Sequence, residues 1–115
     1  MNKRTEIEHR IVEYLRKHKA VTFPQLLDDL SPHFATRGGR AIELLPNCVV
    51  WYGLSDELAA ALLTLLREQV IDMDDADPLV YWVDGAVLGL PLAKRPPTNG
   101  YREPHWVPVV LRLAV

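Results

Sequence analysis

Apolar residues recur every three or four positions near the start of the chain. Ile7, Ile11, Tyr14, Leu15 and His18 fall on one helical face, with Glu6, Glu8, Arg10, Glu13, Arg16 and Lys17 on the others. That period predicts a helix over 5–18, and the basic run Arg16 to Lys19 suits the negative pole at its C-terminal end. Val21-Thr22 then breaks the pattern as a short extended piece. Thr22 with Pro24 behind it marks the start of a second helix over 24–30, burying Phe23, Leu26, Leu27 and Leu30 and stopped by Ser31-Pro32. Ser55, followed by Asp56 and Glu57, caps a third helix over 55–69. Its stripe of Leu58, Ala61, Leu62, Leu65, Leu66 and Gln69 is widened by Ala59, Ala60 and Leu63. A helix that apolar is covered on more than one side, by the C-terminal region or by a second subunit.

Elsewhere the period shortens to two. Val70 to Met73 alternates like a strand, Asp74 to Pro78 reads as a turn, and Leu79 to Val83 reads as the returning strand, which together predict a hairpin over 70–83. Asp84-Gly85 signals another turn, leading to a third strand from Ala86 to about Leu92. Lys94 to Arg102 has no periodicity and reads as a loop. Trp106 to Val115 is β-rich, and Pro104 and Pro108 place its start at a sheet edge. Cys48 to Tyr52 is β-branched and aromatic, a strand or a buried extended segment. Thr36 to Arg40 reads as a flexible basic loop, and Ala41 to Leu45 as a short helical turn or an extended piece.

The order helix, short strand, helix, helix, hairpin resembles the winged helix-turn-helix superfamily over about residues 5–84. The resemblance is carried by Ile7 to Leu15, Val21 to Leu30, Ser55 to Gln69 and Val70 to Val83. Leu65-Leu66-Arg67-Glu68-Gln69-Val70-Ile71 looks like the usual leucine pair, charged turn and entry into the wing. It implies an α+β fold: a winged-helix core with helices 5–18, 24–30 and 55–69 and hairpin 70–83, in one 115-residue domain. Residues 31–54 are then an insertion and 86–115 a C-terminal β extension. In the alternative placement the true third helix lies within Arg37 to Leu45 and the Ser55 helix is additional. The resemblance further implies a small DNA-binding protein, a dimeric regulator of transcription with double-stranded DNA as partner.

Charge complicates that expectation. The net charge is −2, but residues 55–93 hold one arginine against eight carboxylates, where recognition helix and wing would lie. Base readout in the major groove favours Arg, Lys, Asn and Gln near the helix N-terminus; Asp56 and Glu57 stand there instead. The candidate DNA contacts are therefore Thr64 and Arg67 on the third helix, Arg37 and Arg40 flanking Gly38-Gly39, Lys3 and Arg4 on an N-terminal arm, and Lys94 and Arg95 on the late loop. Such contacts reach phosphates and supply salt-dependent affinity without sequence choice. The alternative function is a protein–protein module that does not bind DNA, through a homo-oligomer or another protein. Its candidate interface residues are Leu63, Trp82 and Trp106. In Trp51-Tyr52 and Tyr81-Trp82, adjacent residues on a strand face opposite ways, so one member of each pair is expected outside.

The remaining chemistry is sparse. His9, His18, His33 and His105 lack metal-ligand spacing. The acidic run from Asp72 fails as a calcium loop, since Asp77 and Val83 stand where glycine and glutamate are required. No nucleophile elbow and no glycine-rich phosphate loop opening a helix is present. No enzyme activity, metal or cofactor is expected. The lone Cys48 sits in an apolar run and reads as a buried, inert thiol. Charged residues interrupt the N-terminal segment, so no signal peptide is expected there, and no apolar run is long enough for a membrane helix. A cytoplasmic location is the expectation.

Overall fold

A computed structural model describes residues 5–83, 87–93 and 100–114. The chain is mixed α+β, with helices packed against two small sheets. Helix α1 (Glu6–His18) starts from a reciprocal cap: the Thr5 hydroxyl oxygen accepts the Glu8 N–H at 3.1 Å, and the hydroxyl donates to the Glu8 carboxylate. Strand β1 (Ala20–Val21) leads into α2 (Phe23–Leu30), where Thr22 Oγ1 accepts the Gln25 N–H and Pro24 occupies the first turn. Helix α3 (Asp56–Arg67) is capped by Ser55, whose Oγ accepts the Leu58 N–H at 3.1 Å. It ends in a left-handed turn: Gln69 sits at φ 60° while its N–H bonds the Leu66 carbonyl and the Val70 N–H bonds the Leu65 carbonyl. The three expected helices are thus present, with Thr5 and Ser55 as caps and Phe23 brought into the second helix.

Between α2 and α3 runs a β-hairpin, β2 (Arg37–Glu43) and β3 (Cys48–Leu54). The expected loop at Thr36 to Arg40 is therefore corrected: Arg37 to Arg40 belong to a strand, irregularly paired with β3. Gly38 permits the close approach. A Cβ there would lie 2.9 Å from Ser55 Cα and 3.0 Å from the Leu54 carbonyl oxygen. Buried Thr36 ties the hairpin to both helices: its hydroxyl donates to the Leu27 carbonyl, and its own carbonyl accepts the Ser55 N–H.

The hairpin expected over 70–83 does not form. Strand β4 (Ile71–Asp75) pairs antiparallel with β6 (Val109–Leu113), in a register running from Ile71 opposite Leu113 to Asp75 opposite Val109. Pro78–Val83 forms a short helix, α4. The physical reason is local. The Asp77 carboxylate accepts the Leu79 N–H and its carbonyl accepts the Val80 N–H, while Pro78 supplies a helix-compatible φ. A short apolar run rich in Val, Tyr and Trp fits a strand or a helix, and the Asp-Pro start decides between them here. The third strand expected after Asp84-Gly85 is also corrected. Within Val87 to Ala93 the chain is irregular apart from a bridge from Leu92 to Trp106; the Asp84-Gly85 turn lies outside the described residues.

The first sheet has the order β1-β6-β4. The C-terminal strand, expected as an extension, is its central member. The second sheet has the order β2-β3-β5, where β5 (His105–Trp106) runs parallel to β3. One apolar cluster joins the two: Ile11 and Leu15 of α1, Leu26 of α2, Leu58, Leu62 and Leu65 of α3, Ile71 and Leu111 of the first sheet, and Val50 and Leu54 of the second. Among the described residues, no helix is long and apolar enough to cross a membrane.

Candidate functional site

The most distinctive surface is built on α4. Tyr81 is its one fully buried residue. The Tyr81 hydroxyl donates to the Val109 carbonyl at 2.5 Å and accepts the Phe23 N–H at 3.3 Å. That N–H belongs to the first turn of α2, where no intrahelical acceptor exists. The ring stacks on Trp51 at 5.2 Å between centroids and meets Trp106 edge-on at 5.1 Å. One phenol therefore pins α4 to α2, β6 and the second sheet together. The rest of the helix faces outward: Leu79, Val80, Trp82 and Val83 are 67%, 42%, 72% and 83% exposed. Leu92 and Val87 add to the exposed apolar residues. A groove of about 330 Å³ lined by Asp75, Ala76, Pro78, Leu92, Ala93, Val107 and Pro108 borders the start of α4.

The expected interface residues separate. Trp82 is the most exposed tryptophan, and Leu63 is exposed on α3. Trp106 instead lies inside the fold. It is 3% exposed, paired beside β3 and packed against Trp51 and Tyr81, because β5 lies inside the second sheet's contact with α4. Of the adjacent aromatic pairs, Trp51 and Tyr81 are buried while Tyr52 and Trp82 are exposed. A strand reading puts residues 79, 81 and 83 on one face, so the exposure of Leu79 and Val83 beside buried Tyr81 follows only from the helix. The Asp77-Pro78 helix start was the signal that could have found it.

The expected DNA contacts do not gather into a basic surface among the described residues. Arg37 is paired with Asp28 of α2 at 2.5 Å. The Arg40 Nε lies 3.2 Å from Asp56 in the first turn of α3. Both pairs are exposed and add little stability, but each places a carboxylate on a guanidinium that would otherwise meet phosphate. Glu57 stands exposed beside Asp56. Thr64 is half-buried, and exposed Arg67 sits at the far end of a 12-residue helix, about 16 Å along the axis from Asp56. Lys3, Arg4, Lys94 and Arg95 lie outside the described residues.

A second groove, about 410 Å³, lies between α1 and the end of α2. His9, His18 and His33 line it with Glu6, Glu13 and Lys17, and the Tyr14 hydroxyl crosses it to donate to Asp29 at 2.5 Å. Among the described residues no three His, Cys, Asp or Glu side chains are placed to hold a metal ion. Cys48 is buried within β3. No protein-family model, curated protein or solved structure matches this chain.

Proposed function

We propose that the chain is a winged-helix domain that works as a protein–protein contact module, with the outer face of α4 as its contact surface. The winged-helix part rests on the succession α1, β1, α2, α3, β4, β6, read with β2 and β3 as an insertion before α3 and with α4 and β5 as an insertion before β6, and on the sheet order β1-β6-β4. In that architecture the strand between the first two helices pairs with the last strand, which pairs with the strand following the third helix. The contact part rests on one observation: α4 is anchored by buried Tyr81 yet offers Leu79, Trp82 and Val83 to solvent. Clustered exposed apolar residues mark interaction sites, and tryptophan is among the strongest binding anchors. The test compares proteins co-purifying with the tagged chain and with its Trp82→Glu variant from the cells that make it. Loss of a specific protein on substitution is expected; the same set with both overturns the reading.

The winged-helix order also supports a second reading, phosphate-directed contact with double-stranded DNA. Asp56 and Glu57 at the start of α3 repel phosphates, and Arg37 and Arg40 are already paired, so this reading ranks below the first. Anisotropy titration with a random duplex at low salt decides it. Non-specific binders reach roughly 10⁻⁴–10⁻⁶ M even at physiological salt, so a flat titration through that range removes DNA as a partner.

A further inference from the structure

We infer that the α4 surface docks a different protein rather than a second copy of this chain, at an apolar pocket bordered by lysine or arginine. The inference rests on the contact reading above and goes on to name the partner's chemistry. Asp75 and Asp77 lie at the entrance to α4, both exposed and without an ion pair among the described residues. The neighbouring carboxylates differ: Arg112 lies 3.5 Å from Asp72 and 2.9 Å from Asp74. Asp77 is also fixed in place, since its carboxylate accepts the Leu79 N–H at 3.0 Å. A six-residue helix rises only about 9 Å, so the Asp77 charge acts within roughly one Debye length of Trp82, and Asp75 lines the groove that borders the start of α4. No lysine or arginine occurs between Arg67 and Lys94. Among the described residues the apolar anchor thus carries negative charge with no cation paired to it, and its complement is apolar with a positive rim.

A second copy fits poorly. A two-fold contact sets the same patch against itself, gathering four carboxylates around two projecting tryptophans with no cation from α4 or its immediate flanks. Nor do the grooves among the described residues receive it. The one beside α4 carries Asp75, the wrong sign, the one between α1 and α2 is lined mainly by charged and imidazole side chains, and in the one beside Leu66 and Ile71 the single cation, Arg112, is already held by Asp72 and Asp74.

The test places a photo-crosslinking amino acid at Val80, exposed on α4 beside Trp82, in the full chain, in the cells that make it, and sequences the crosslinked peptides. The expected product joins residue 80 to a different protein, at an apolar peptide with lysine or arginine beside it. Its yield should fall roughly ten-fold with Asp75→Lys, because like charges are then juxtaposed. Asp75 does not cap α4, so the variant keeps the helix, and an unchanged far-ultraviolet dichroism spectrum checks this. Glu57→Lys, on α3, should leave the yield unchanged. A product containing two copies of this chain, a partner site without basic residues, or a yield indifferent to Asp75→Lys overturns this inference while the contact reading stands. No product at all takes down the contact reading itself.

Discussion

Whether residues 78–83 are helix or strand decides which side chains hold the protein together, and stability measurements can tell. In a strand, Leu79, Tyr81 and Val83 share one face; in α4, Tyr81 alone points inward. Replacing Tyr81 by Phe keeps the ring and removes one hydroxyl. The Phe23 N–H then loses its acceptor in the first turn of α2, and the Val109 carbonyl loses a donor at 2.5 Å. A buried polar group left unsatisfied costs about 1–3 kcal/mol. With an unfolding entropy of about 2.1 cal/mol/K per residue, each kcal/mol lowers Tm by roughly 4 °C in a chain of 115 residues. Tyr81→Phe should therefore lower Tm by about 4–12 °C. Leu79→Asp and Val83→Asp, on the exposed side, should stay within about 0.5 kcal/mol. Urea unfolding followed by tryptophan fluorescence gives the free energies, provided the slope m is unchanged. Buried Trp51 and Trp106 flank Tyr81 and report on this region directly. A Tm for Tyr81→Phe within about 2 °C of wild type, or a loss at Val83→Asp as large as at Tyr81→Phe, would refute the anchoring argument.

Two further predictions concern backbone geometry. Gln69 holds φ 60° in the turn closing α3; the left-handed conformation costs an L-residue about 1–2 kcal/mol, partly offset by glycine's greater unfolded freedom. Gln69→Gly should therefore raise stability by about 0.5–1 kcal/mol in urea unfolding, and a decrease would contradict the observed cap. The adjacent glycines of β2 should behave oppositely: Gly38→Ala presses a methyl against the Ser55 and Leu54 backbone and should cost about 1–3 kcal/mol. Gly39→Ala meets nothing within 4 Å and should be neutral or slightly stabilising, so equal effects at the two sites would contradict the register of the hairpin.

What could be read from the sequence was local. The Ile7, Ile11, Leu15 stripe, the caps at Thr22 and Ser55 and the apolar strand from Cys48 each depend on residues within a turn or two of one another, and each appears where expected. The pairing of Ile71–Asp75 with Val109–Leu113 depends on residues far apart in sequence, and nothing near Ile71 announces it. Leu79 to Val83 was closer than it looked, because aromatic and β-branched content favours a strand while Asp77-Pro78 favours a helix start. The candidate interface followed the same division. The exposed aromatic of Trp51-Tyr52 is legible from strand alternation, whereas in Tyr81-Trp82 the same split arises from a helix and not from the strand expected there. The burial of Trp106 was not legible, because it depends on β3 and α4, which approach it from elsewhere in the chain.

Under the winged-helix reading, the long excursion between the last two strands bears directly on function. A short connection there leaves a wing free to reach a partner such as DNA. Here residues 76–108 intervene, closed at the base by Asp75 opposite Val109 and by the Ala76 N–H on the Pro108 carbonyl. Lengthening a closed loop adds little entropy cost, since each doubling costs only about 0.6 kcal/mol. Among the described residues the added chain returns to the body at several points: Tyr81 enters the aromatic cluster, Leu88 enters the core, Tyr101 bonds Pro46 and Asn47, and Trp106 lies beside β3. Tyr81 and Trp106 hold α4 against the second sheet, which the hairpin between α2 and α3 supplies. The two departures from a minimal winged helix are thus one structure: the hairpin makes a platform, and the excursion lays a helix on it. Binding gains most from groups held in place before the partner arrives. A tryptophan next to a fully buried, doubly hydrogen-bonded tyrosine meets that condition, whereas a wing folded back onto the body is poorly placed to enter a DNA groove. The same anchoring that commits this excursion to internal contacts is what presents Trp82.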